Sequence, residues 1–282
     1  MTERLANPFP EYRDWLVRPL ARGHQASLLL LTDPQEGSRV VVKCFTPPAG
    51  GDAAIRRETE ALDKLASLAC EARVEGWRVV SPRVLGISHT PPALALTYIS
   101  GEQLDRLLID GTQEPPVPSV VPRVLARSIW SYWSSTGAII GDMNLQNIIC
   151  DIPGRTIGIV DPGAPYGWFS LPMIPMRHYP ISRDLGYLLY EVCSTNVKLT
   201  LRGRAAPRRR LCFVRSLLAE IMERTADPGG LIDEIGKCAI AHAERLNTGL
   251  SPRRCWRKVV QLGALAEIRN QTQLTLGPAF VA

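Results

Sequence analysis

The sequence predicts an α+β fold, with antiparallel strands and one helix gathered towards the N-terminus and helices through the rest of the chain. Three observations carry that expectation. Short β-branched and leucine runs, Ser27 to Leu31 and Arg39 to Phe45, are separated by the turn sequence Asp33-Pro34-Gln35-Glu36-Gly37. Between Ala53 and Cys70 apolar residues recur at helical spacing, and the same periodicity returns from Val124 onward. The 282 residues, 45% of them hydrophobic, are enough to bury a full core and to build one large domain or two modest ones.

Leu16-Val17 opens the strand series. The connection to the second strand, Ala21-Arg22-Gly23-His24-Gln25-Ala26-Ser27, holds a single glycine. Gly23 permits one close approach of backbone to an anion and Ser27 brings a hydroxyl; the same segment also reads as a plain hairpin turn. In the third strand, Val41-Val42-Lys43-Cys44-Phe45, Lys43 is a cation among apolar neighbours. On an edge strand such a lysine faces solvent and discourages aggregation. Asp52 is placed to cap a helix from Ala53 to Cys70, whose apolar stripe runs through Ile55, Thr59, Leu62, Leu65, Ala66 and Ala69. Glu58 falls inside that stripe, whereas Glu60 points away with Lys64. A carboxylate on a buried face needs a partner, and Lys43 is the candidate.

Leu94 to Leu104 reads as a further strand followed by a Gly-containing turn, at Gly101, into a helix. Thr112 to Pro122 carries Pro115, Pro116, Pro118 and Pro122, which excludes helix interior and central strand and predicts an exposed connection. A helix is expected over Val124 to Thr136. In Ile139-Ile140-Gly141-Asp142-Met143-Asn144-Leu145-Gln146-Asn147-Ile148-Ile149 a polar loop lies between two apolar pairs, which predict two short buried strand ends. Asp and Asn are also ordinary turn residues in such a hairpin. Another buried strand, Thr156 to Val160, ends at Asp161-Pro162-Gly163 and brings a carboxylate to the same edge. Ser182 to Glu191 and the segments Leu211 to Leu246 and Trp256 to Arg269 have helical periodicity.

Lys43, Glu58, Asp142, Asn147 and Asp161, in that order and in strand, helix and loop settings, resemble the protein-kinase-like superfamily, and the resemblance spans Leu16 to Glu191. It implies a bilobal fold, with a small antiparallel sheet lobe holding one helix over 1–99 and a larger, mainly helical lobe over 100–282. It also implies ATP and Mg²⁺ as cofactors and a hydroxyl-bearing acceptor. Gly23 and Ser27 then lie at the phosphates, Lys43 contacts them and pairs with Glu58, and adenine is read by the Thr97 carbonyl and the Ile99 N–H. Asn147 and Asp161 hold the metal, while Asp142 receives the acceptor's proton. Asp184 braces the catalytic loop, a role that overlaps with simple helix capping.

Three departures from the family pattern bear on its branch. Ile140 stands where the family usually has His, Asn144 leaves no lysine two residues beyond Asp142, and Pro162 replaces the usual Phe. Pro162 biases Asp161 towards extended geometry. With the short interval from Gly163 to Asp184, these features look more like aminoglycoside, choline or lipopolysaccharide phosphotransferases and small atypical kinases than regulated protein kinases. A Ser/Thr protein kinase and a nucleotide-binding pseudokinase are the alternatives.

Composition narrows the remaining classes. No apolar run is long enough to span a bilayer and the N-terminus lacks a signal-peptide core, which predicts a cytoplasmic protein. Seven cysteines without a C-x-x-C pair predict reduced thiols. The net charge of +6 concentrates in Arg202, Arg204, Arg208, Arg209 and Arg210 and in Arg253, Arg254, Arg257 and Lys258. These read as solvated faces or as an anion-binding surface, with no stronger signal for nucleic acid.

Overall fold

The structure, a computed structural model, describes residues 7–22, 26–45, 51–68, 73–109, 117–163, 181–203, 208–245 and 252–276. Gly23 lies outside them. The chain divides into two compact units, residues 1–67 with 81–100 and residues 68–80 with 101–282.

The first unit is built on an antiparallel sheet of five strands, β1 (Leu16–Arg22), β2 (Ala26–Thr32), β3 (Arg39–Phe45), β5 (Val84–His89) and β6 (Pro92–Thr97), in the order β1-β2-β3-β6-β5. Strand β4 (Arg78–Val80) falls between them in sequence but belongs to the second unit. Side chains alternate across a strand, so the residues of β3 divide between two faces. Val40 and Val42 join Leu29, Leu31, Ala93 and Ala95 against Phe9, from the turn at Pro10–Tyr12. Phe45 and Val41 join Leu94, Leu96 and Ala26 against Ile55 and Leu62 of α1 (Asp52–Leu68). Lys43 shares parity with Val41 and Phe45 and therefore faces α1. The helix begins at Asp52 itself, and the Gly51 carbonyl accepts from the Ala54 and Ile55 N–H groups. The Asp52 carboxylate lies 2.6 Å from His89 Nδ1, so a residue distant in sequence takes the side chain expected to cap the helix.

The second unit has a four-stranded sheet in the order β4-β9-β8-β7, formed by β7 (Glu102–Gln103), β8 (Ile148–Asp151) and β9 (Thr156–Ile159), with β4 parallel to β9. Gly101 has φ 127°, and a Cβ there would lie 2.6 Å from the Cys150 carbonyl oxygen, so only glycine lets this crossing occur. Among the described residues the unit also holds the helices α2 (Leu104–Ile109), α3 (Val120–Thr136), α4 (Ile181–Thr200), α5 (Arg208–Met222), α6 (Pro228–Arg245) and α7 (Pro252–Leu276). Helix α4 is buried along nearly its whole length, with α6 and α7 packed on it. Between α3 and α5, the buried carboxylate of Glu220 accepts from Arg123 and Arg127 and, just past the end of α5, from Arg224. Burial alone would push this carboxyl up; the three guanidiniums, Arg127 foremost, hold it below its ordinary range.

Three further sequence expectations are corrected. Helix α3 starts at Val120 and contains Pro122, which is buried. Pro122 sits in the first turn, where a backbone N–H would have no helical partner anyway, so the missing donor costs nothing. Ile139-Ile140 forms no strand. Gly141 makes an isolated parallel bridge to Gly163 instead, and only Ile148-Ile149 enters a strand. The Arg202–Arg210 cluster is not uniformly solvated either. Arg210 is 1% exposed, donating Nη1 to the Leu108 carbonyl at 2.6 Å and Nε to Asn196 Oδ1 at 3.2 Å. Burial brings its guanidinium down to about 10.

Candidate active site

In the first unit, Lys43 Nζ lies 2.7 Å and 2.5 Å from the two carboxylate oxygens of Glu58, and both side chains are 10% exposed. The alternation of β3 and the stripe of α1 aim them at each other, as the helix phase required. Glu60 is exposed. Ser27 pairs in register with Cys44. Thr97 ends β6, where its N–H donates to the Arg83 carbonyl at 2.9 Å and its hydroxyl accepts from the Arg83 N–H at 2.9 Å. Ile99 follows in a partly buried irregular stretch.

In the second unit, hydrogen bonds tie the Asp142 loop to the Asp161 turn on both sides. The Asp142 N–H donates to the Gly163 carbonyl at 2.8 Å, the Gly163 N–H to the Ile140 carbonyl at 2.8 Å, and the Val160 N–H to the Asn147 carbonyl at 2.8 Å. Asp161 between these anchors adopts φ 56°, so the extended geometry expected before Pro162 is overturned. Aspartate tolerates the left-handed region better than most residues, and the flanking bonds hold the turn there. Backbone strain of this kind, on the order of 1–3 kcal/mol, persists where the surroundings over-determine it.

Asn147 Nδ2 donates to Asp142 Oδ2 at 3.0 Å and to the Asp142 carbonyl at 3.1 Å. The amide nitrogen being engaged there, the Asn147 side-chain carbonyl is the atom left to meet a cation. Asn144 accepts the Gln146 N–H at 3.0 Å and starts the 3₁₀ turn Leu145–Asn147 that sets the five-residue offset from Asp142 to Asn147. Asp184 of α4 accepts the Ile140 and Gly141 N–H groups at 2.7 and 3.1 Å, which braces the loop from beneath. Burial pushes the Asp184 carboxyl up to about 7, against the pull of those two bonds and of Arg183.

The sequence reading assigned no role to Tyr187 or Glu191. The phenol of Tyr187 is hydrogen-bonded to Asp142 and to Asn144, and the charge of Glu191 acts on Asp142. Asp184, Tyr187 and Glu191 are spaced three and four apart on one helix, so they share a face. Given that Asp184 meets the loop, that spacing was the signal that could have found the other two. The Asp142 carboxyl is raised by burial first, then by Asp161 and Glu191, and lowered by the bonds from Tyr187 and Asn147.

Among the described residues no three of His, Cys, Asp and Glu group as a metal cage. The oxygen set of Asp161 and the Asn147 carbonyl nevertheless fits Mg²⁺, a hard ion usually held by one or two protein carboxylates, waters and substrate phosphates. Beside the loop lies a cavity of about 220 Å³, lined among others by Asn144, Gln146, Glu191, Thr195, Lys198 and Arg202.

No protein-family model matches the chain, and no curated protein matches it in sequence. Three kinases are among the solved structures similar to it. An ethanolamine kinase of Plasmodium vivax is 11% identical, with 95% of this chain and 86% of that one covered and a TM-score of 0.48. The PknI kinase domain of Mycobacterium tuberculosis is 15% identical, with 80% and 96% covered and a TM-score of 0.41. The PK-1 kinase of Cydia pomonella granulovirus is 14% identical, with 54% of each chain covered and a TM-score of 0.39. Likeness at this level says nothing about chemistry, which has to come from the side chains.

Proposed function

We propose that the chain is an ATP-dependent phosphotransferase that moves the γ-phosphate to a hydroxyl of a small or lipid-like acceptor. The observation that carries this reading is the bonded pair of segments that sets Asp142, Asn147 and Asp161 at one edge of the second unit. In this reading residues 1–99 hold the nucleotide, with Gly23, Ser27 and Lys43 at the phosphates, Glu58 fixing Lys43, and the Thr97 carbonyl and Ile99 N–H at the base. Residues 100–282 carry the chemistry.

Asp142 accepts a hydrogen bond from the acceptor hydroxyl, aligns its oxygen with the γ-phosphorus and takes the proton as the new P–O bond forms and the bond to ADP breaks. Asp161 and the Asn147 carbonyl hold Mg²⁺, which when bound offsets the negative charge of the phosphates. Positioning and charge stabilisation supply most of the rate, since phosphoryl transfer asks little covalent chemistry of the protein. The cavity beside Asn144 and Glu191 is of a size for a small acceptor. No helix among the described residues is long and apolar enough to cross a membrane.

Asp161→Asn tests the reading, because it removes a charge at the metal and keeps the shape. ATP hydrolysis should lose its Mg²⁺-dependent component while thermal melting without Mg²⁺ stays close to that of the parent. A folded variant with unchanged Mg²⁺-dependent turnover would sink the metal assignment. Transfer of labelled γ-phosphate to a panel of sugars, amino alcohols, lipids and proteins then identifies the acceptor.

A further inference from the structure

Asp142 lacks the auxiliary lysine that the family places two residues beyond it, because Asn144 stands there. A chain of donors runs through that position instead. The Gln146 N–H donates to Asn144 Oδ1 at 3.0 Å, which leaves the Asn144 amide nitrogen to donate onward. Its partner is the Tyr187 oxygen, and the Tyr187 hydroxyl in turn reaches the Asp142 carboxylate. Asn147 donates to Oδ2 of the same carboxylate at 3.0 Å.

Tyr187 has little freedom to leave. It is 8% exposed, and its ring centroid lies 4.2 Å from that of His242 of α6, which also meets Tyr190 at 5.2 Å. The backbone beneath the loop is pinned by Asp184, one helical turn before Tyr187.

We propose that Tyr187, oriented by Asn144 and wedged by His242, is a positioning residue that fixes the rotamer of Asp142 and thereby aims its carboxylate at the acceptor hydroxyl. This rests on the phosphotransferase reading. A phenol suits the task because its hydroxyl donates to the carboxylate while its oxygen accepts from the amide, so one rigid side chain links the two. It contributes no proton to the reaction. It narrows the directions in which Asp142 can point, and misplacement of a reacting group by about 1 Å costs on the order of a hundredfold in rate.

The test uses the full-length protein with Mg·ATP, reading hydrolysis with water as the probe acceptor, binding of a fluorescent ATP analogue, and thermal melting. Tyr187→Phe keeps the ring against His242 and removes only the hydroxyl. It should lower kcat by about tenfold to a hundredfold with the KM for ATP and analogue affinity unchanged. Tyr190→Phe, which alters the other ring at His242, should match the parent. Combined with Asp142→Asn, Tyr187→Phe should cause little further loss, as groups acting as a unit are non-additive.

Parental kcat in Tyr187→Phe beside a slow Asp142→Asn overturns the proposal and leaves the phosphotransferase reading intact. Parental turnover in both Asp142→Asn and Asp161→Asn overturns that reading and the proposal with it. If Tyr187→Phe melts early, its coupling with Asp142→Asn in the melting temperature decides. A non-additive pair supports the contact and an additive pair refutes it.

Discussion

Replacing Glu58 with alanine should separate the stability of the first unit from its capacity to bind nucleotide. Both partners of the Lys43–Glu58 pair are 10% exposed and their atoms meet at 2.5 and 2.7 Å, so Glu58→Ala takes from the Lys43 ammonium, in a largely dry place, the carboxylate that meets it there. Breaking a buried pair from one side costs about 3–5 kcal/mol, whereas replacing both partners with apolar residues of similar volume is close to neutral. At about 2–4 °C per kcal/mol for a chain of this class, Glu58→Ala and Lys43→Ala should each lower the melting temperature by about 6–20 °C. Lys43→Met with Glu58→Leu should recover most of that loss. None of the three should bind a fluorescent ATP analogue at the parental affinity, because each lacks the placed cation. Glu60→Ala, on the exposed face of α1, should stay within about 0.5 kcal/mol of the parent. Thermal and urea melts and analogue titrations on the five proteins provide the readout. If the apolar pair is as unstable as the sum of the two alanine variants, or if Glu60→Ala matches Glu58→Ala, the buried-pair reasoning fails.

Three further outcomes follow from other sites. Arg210→Ala should lower stability by about 3–5 kcal/mol, since the Leu108 carbonyl and Asn196 lose a buried donor; parental melting would contradict it. Asp184 carries a pH signature whose sign is set by its raised carboxyl. A folded value of about 7 against an ordinary 3.8 means that its stabilising contribution is full below about 4 and is lost as pH rises through 7, a change of about 4 kcal/mol. The parent's stability should therefore decline more steeply than that of Asp184→Asn between pH 4 and about 7.5, and parallel pH profiles would exclude a neutral folded carboxyl. A Cβ at Gly186 would lie 2.8 Å from the Ile235 carbonyl oxygen, so Gly186→Ala should force α4 and α6 apart and cost about 1–3 kcal/mol in a urea melt; parental stability would refute the close approach.

The parts of the site legible in the sequence were those that depend on local periodicity. The phase of α1 separates Glu58 from Glu60, and the alternation of β3 turns Lys43 towards it; both follow from counting residues. The offset between Asp142 and Asn147 is likewise local. What escaped depends on chain segments far apart. The phenol of Tyr187 reaches Asp142 because α4 carries Asp184 beneath the loop, and only the Asp184 bonds to Ile140 and Gly141 reveal which face of α4 looks that way. Arg210 looked like one more basic loop residue, since nothing near it in sequence shows that Leu108 and Asn196 would enclose it. The left-handed turn at Asp161 went against a local rule, as three backbone bonds from other segments outweigh the preference of a residue before proline.

Strand β4 has a consequence for how this chain is made and how it can be cut. Arg78 to Val80 pair with Thr156 to Gly158, so a segment that precedes β5 and β6 has its partner 78 residues downstream. The polypeptide passes from one unit to the other at three points along its length, after residues 67, 80 and 100. During synthesis β4 must therefore wait, unpaired, until β9 has emerged, while the sheet on either side of it in sequence already has all five of its strands. A fragment ending at residue 100 would carry 68–80 as an orphaned excursion with an open strand edge, the kind of surface that recruits other chains.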